Sequence, residues 1–75
     1  MESAIHYNRR VLQVKYHRFT KSDGVYYEIN ILGYNRFFVK WGALNRYELV
    51  KSADQSPIPE DLILVVSDLL ENHDH

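Results

Sequence analysis

The amino-acid sequence predicts an α+β fold, an antiparallel β-meander of three or four strands with one C-terminal helix packed on one face. Three observations lead there. Glycine occurs only at Gly24, Gly33 and Gly42, nine residues apart, which is the turn spacing of a run of short antiparallel strands. Between these glycines apolar and polar residues alternate, the period of a strand with one buried face. Beyond Pro59 the apolar residues instead recur at the spacing of a helix.

Taken in order, the first strand runs from Arg10 to Phe19, with Leu12, Val14 and Tyr16 on one side. Lys21-Ser22-Asp23-Gly24 follows, a hairpin signal, because Asp and Gly tolerate the backbone of tight turns. The second strand covers Val25 to Leu32 and puts Val25, Tyr27, Ile29 and Ile31 on the same side. Gly33-Tyr34-Asn35 makes a short loop into a third strand, Arg36 to Trp41, with Phe37, Val39 and Trp41 inward. A loop at Gly42-Ala43-Leu44-Asn45 leads to a short fourth strand, Arg46 to Lys51, with Tyr47 and Leu49 inward. The opposite side reads Gln13, Lys15, His17, Tyr26, Glu28, Asn30, Arg36, Phe38, Lys40, Arg46, Glu48 and Val50, an amphipathic, wet face.

One apolar face needs a cover, and the remaining segment supplies it. After a polar linker at 52–56, a helix is predicted over about 57–72 and a frayed tail at 73–75. Its prolines suit a first turn, and Glu60 and Asp61 suit the positive end of the helix dipole. Around the helix Ile58, Leu62, Ile63, Val65, Val66, Leu69 and Leu70 share an arc of about 160°. The opposite arc holds Glu60, Asp61, Ser67, Asp68, Glu71 and Asn72, and Leu64 stands alone among them as an apolar residue.

The chain has 75 residues and no cysteine, which predicts one small domain over 1–75 held by its core, without disulfides or cysteine-ligated metal. Charged residues make 25% and apolar residues 45% of it, ordinary globular proportions. The opening residues read as neither leader nor anchor, so a soluble, cytoplasmic protein with no membrane partner is expected. Charge is divided unevenly along the chain. Residues 1–51 hold nine bases against four acids, a net of +5, whereas residues 52–75 hold six acids and no base. All ten aromatic residues lie between Tyr7 and Tyr47. A sheet followed by a helix produces part of this division by propensity alone.

Catalytic constellations are missing. Widely spaced glycines form no phosphate cradle, and no serine sits in a nucleophile elbow or beside a histidine. His17 reads as a solvated side chain on the wet face. His73-Asp74-His75 brings ligand types together, but a chain end fixes no tetrahedral geometry. The expectation is therefore a non-enzyme with no cofactor, no metal and no small-molecule substrate.

Two functions remain. In the first, the domain is a small regulator or inhibitor that binds another protein through the acidic helix face at Leu64, Glu60, Asp61, Asp68 and Glu71, or through a sheet edge. Its longest edge, Arg10 to Phe19, also suggests a homodimer. In the second, nucleic acid lies on the wet face, contacted by Lys15, His17, Tyr26, Arg36, Phe38, Lys40 and Arg46.

Overall fold

The structure is a computed structural model describing residues 1–51 and 57–73. Five antiparallel strands form one sheet in chain order: β1 (Glu2–Tyr7), β2 (Arg10–Lys21), β3 (Gly24–Ile31), β4 (Phe37–Trp41) and β5 (Tyr47–Leu49). One helix, α1 (Glu60–His73), follows. The fold is α+β, as predicted, with five strands in place of three or four. The predicted linker at 52–56, Asp74, His75 and the side chain of His73 lie outside the described residues.

The additional strand is β1. Tyr7 pairs with Arg10, so Asn8 and Arg9 alone make the turn, at φ 51° and 63°. Two successive left-handed residues give the turn whose twist matches that of the strands it joins. Asparagine adopts this backbone readily and arginine does not, so no glycine marks the turn in the sequence. Arg9→Gly is expected to stabilise the domain slightly. It relieves about 1–2 kcal/mol of left-handed strain and returns roughly 0.5–1 kcal/mol of freedom to the unfolded chain. The net, about 0.5 kcal/mol, corresponds to a rise in Tm of about 2–4 °C in a domain of this size. A thermal melt with no rise would show that Arg9 is not strained.

β1 also corrects the expected edges. It covers β2 from Arg10 to Lys15, and the Met1 nitrogen and Tyr16 carbonyl, 2.8 Å apart, carry the pairing one step further. The edges are therefore β1 and β5, and the segment from Arg10 to Phe19 is interior as far as Tyr16.

At the next turn Lys21 pairs with Gly24, so Ser22 and Asp23 are the loop residues. The hairpin falls where predicted, with its centre one residue earlier. Gly24 opens β3 at φ 148°, and a Cβ there would lie 3.3 Å from Lys40 Cε. Backbone and space both favour glycine at this point.

The helix begins at Glu60, three residues later than predicted. A residue preceding proline is disfavoured in the helical region, and Ile58 precedes Pro59. The first helical bond runs from the Ile63 N–H to the Pro59 carbonyl (3.2 Å), which makes Pro59 the residue that caps α1. No helix among the described residues is long and apolar enough to cross a membrane.

Every inward residue predicted for the four strands shares one face, because the register pairs Tyr16 with Ile29, Ile29 with Phe37, and Val39 with Leu49. Val14, Tyr27, Ile29, Phe37 and Val39 are fully buried there, with Leu12, Val25 and Leu49 packed around them. Tyr27 stands at the centre, tilted against Tyr16 and edge-on to Tyr47 at centroid separations of 6.0 and 5.4 Å. Trp41, predicted to point inward, lies at the rim and is 40% exposed, because it ends β4 at the margin of the sheet. The α1 backbone comes closest to β1 and β5, so the sheet curls around the helix and large side chains fill the middle.

That curl sets the helical phase. Leu62, Ile63, Val66, Ser67 and Leu70 are buried, while Val65 and Leu69 are half-buried. The buried arc is rotated by about 50° from the predicted one at 100° per residue, which brings Ser67 inside.

Candidate functional site

Leu64 lies about 200° around the helix from Leu62 at 100° per residue and is 39% exposed. Glu60, Asp61 and Asp68 are exposed around it and Glu71 is half-buried. Two of these acids also tie the fold together. The Tyr7 hydroxyl donates to the Asp61 carboxylate (2.8 Å), which also accepts the Leu62 N–H (3.0 Å). This bond, reinforced by partial desolvation and by the cost of placing a phenolate beside a carboxylate, pushes the Tyr7 hydroxyl from 10.0 up to about 12. The contact is therefore intact at neutral pH and is lost as pH rises through that interval.

Glu71 is held by Ser67, whose hydroxyl donates to it (3.2 Å) and accepts the Tyr47 N–H (2.8 Å). The second bond has a structural meaning. Gly42 N–H donates to the Arg46 carbonyl and Val50 N–H to the Phe38 carbonyl, so alternation turns the Tyr47 and Leu49 amides away from β4. Tyr47 N–H would thus be an open edge donor, and the helix closes it.

Beside this closure a groove of about 310 Å³ opens between β5 and the first turns of α1. Leu64, Ile63, Ile58 and Leu49 give it apolar walls, while Glu48, Glu60, Arg46 and Lys51 carry charge of both signs. The sequence placed Arg46 on the wet sheet face; in the structure it lines this groove together with the helix. Only the docking of α1 along β5 creates the juxtaposition, and no pattern along the chain marks it.

On the outer sheet face the structure assembles an aromatic cluster that alternation only half reveals. Phe19 stacks on Tyr26 (5.4 Å between centroids, 12° between planes) and meets Phe38 edge-on at 6.0 Å. Lys21 and Lys40 lie over the Tyr26 ring at 5.2 and 5.6 Å, and Arg36 lies over Phe38 at 5.6 Å. Asp23 accepts from the Tyr26 hydroxyl (2.8 Å) and Lys40 (3.2 Å). The Tyr26 hydroxyl, then the Lys40 ammonium, hold the Asp23 carboxyl below its ordinary value, and Asp23 in turn raises both partners. The cluster's carboxylate thus stays charged well below neutral pH and is lost only as acid protonates it.

Tyr26, predicted to be a wet-face contact, is accordingly buried at 8% exposure. Lys40 is committed to Asp23, and Arg36 stands 4.0 Å from Glu28. Lys15 and His17 are exposed and Phe38 half-buried, so the predicted nucleic-acid contacts do not form one open platform. Cross-strand pairing of β2, β3 and β4 accounts for most of the arrangement.

Among the described residues no three His, Asp or Glu side chains converge as metal ligands. Comparison with family models, with curated proteins and with solved structures finds no match to this chain.

Proposed function

We propose that the domain is a non-enzymatic protein-binding module, a regulator or inhibitor, whose contact surface is the acidic helix face at Leu64 and the groove between α1 and β5. The observation that supports it is the position of Leu64, an exposed apolar side chain at the rim of a concave, mixed-charge groove. An apolar anchor beside a pocket and ringed by charge is the arrangement from which interfaces draw most of their energy. The fitting partner is a protein segment with one apolar side chain for the groove and basic groups for Glu60 and Asp68.

The test is capture from native lysate at two salt concentrations, with and without nuclease, using wild type, Leu64→Asp and Lys15→Glu. A partner that survives nuclease, binds Lys15→Glu normally and is lost with Leu64→Asp supports the groove, with a loss of about 2 kcal/mol expected for a hot spot. Captured nucleic acid that is lost with Lys15→Glu and retained by Leu64→Asp overturns it in favour of the outer sheet face.

A further inference from the structure

The two edges of the sheet are finished differently. At β5 the outward Tyr47 N–H is taken by Ser67. At β1 the register runs without a bulge from Glu2 opposite Lys15 to Tyr7 opposite Arg10. The Tyr16 N–H donates to the Met1 carbonyl (2.9 Å), and the Met1 nitrogen to the Tyr16 carbonyl. By alternation the backbone groups of Ser3, Ile5 and Tyr7 then point to β2, and those of Glu2, Ala4 and His6 point outward. These three residues are exposed, and β1 holds no proline, glycine or inward charge, the devices that blunt an edge.

We infer that β1 pairs with β1 of a second copy, antiparallel about a two-fold axis at Ala4, to make a continuous ten-stranded sheet. The register follows from the residues. An antiparallel edge-to-edge pairing exchanges hydrogen bonds between outward-facing residues. Centring it on Ala4 uses all three of them: Ala4 faces Ala4, and Glu2 and His6 face His6 and Glu2 of the second copy. A shift by two residues in either direction leaves one outward residue of each copy unpaired. The centred register also places an acid opposite an imidazole at two equivalent positions, and a methyl group at the axis where the backbones meet. Lys15 sits opposite Glu2 within each copy, so each carboxylate lies between two basic groups. A two-fold pairing of this kind is self-complementary and closed, leading to a dimer and not to a fibre. The surface lies on the sheet edge opposite the β5 groove, so it stands independently of the function proposed above.

Sedimentation equilibrium of the full chain at high micromolar concentration tests it with four proteins. Wild type is expected to be a dimer. Ala4→Pro removes an outward N–H that the monomer does not use, a position where edge strands accept proline, and is expected to be monomeric with a native circular dichroism spectrum. His6→Glu sets like charges opposite each other twice and is expected to weaken the dimer about tenfold. Glu2→Lys combined with His6→Glu restores opposite charges and is expected to recover it. A monomeric wild type overturns the inference. So does a dimer unaffected by Ala4→Pro, or a double variant as weak as His6→Glu alone; the two charge variants keep the test decisive if the proline variant does not fold.

Discussion

Leu62→Ala is expected to remove a large part of the domain's stability, about 2–5 kcal/mol for truncation of a fully buried leucine. A chain of this length commands only about 4–11 kcal/mol at roughly 0.05–0.15 kcal/mol per residue, so the variant will stand near unfolding at 37 °C. Leu62 is fully buried and sits where the helix meets the curled sheet. Leu64, two residues on, is its control. Leu64→Asp places a charge on a face already exposed and is expected to cost no more than about 0.5 kcal/mol. Urea unfolding of the two variants measures the contrast directly. Similar losses from both would mean that the helical phase is wrong and that Leu64 belongs to the core, which would also remove the anchor from the proposed binding surface.

This contrast depends on a phase that was only partly legible in the sequence. Periodicity identified the helix and set Leu62, Ile63, Val66 and Leu70 inside and Leu64 outside. It placed Val65 and Leu69 too deep and Ser67 too far out, because a hydrophobic pattern does not register a hydroxyl buried to satisfy an amide on another element. The strands were easier to read. One face of the meander is buried, so a slip of one residue would exchange the two faces entirely, and alternation therefore assigned the residues from Leu12 to Leu49 to the right face, with Trp41 at the end of β4 left exposed. β1 escaped because its turn is made by Asn8 and Arg9 without glycine, and with it went the correct edges. On the outer face alternation alone assigned Tyr26 to water. Its burial comes from cross-strand neighbours, Phe19 and Lys40, whose meeting requires the register and not the period. The groove was the least legible feature, since Arg46, Leu49 and Leu64 come together only when α1 docks along β5.

The same docking makes Ser67 the most informative polar residue in the chain. It is 1% exposed, yet sequence reasoning assigns it to solvent. Its Oγ accepts the Tyr47 N–H at 2.8 Å and donates to Glu71 at 3.2 Å, so Ser67→Ala deletes the acceptor and leaves an amide of β5 buried beneath the helix. A buried donor without its acceptor costs about 1–3 kcal/mol, more than the loss of an ordinary exchanged hydrogen bond, because water cannot replace the hydroxyl. Exchange at the Tyr47 amide gives a local readout. Its protection is expected to fall by about 5- to 150-fold, the same free energy at 1.4 kcal/mol per tenfold, whereas core amides of β3 should change only as far as global stability does. The β1 edge has no helix hydroxyl to lose, so self-association through Ala4 should keep its wild-type strength in Ser67→Ala. If the substitution costs under about 0.5 kcal/mol, within the range of an ordinary surface change, and leaves Tyr47 exchange as it was, the helix does not close the β5 edge. The asymmetry that assigns the groove to one edge and the second copy to the other would then be lost.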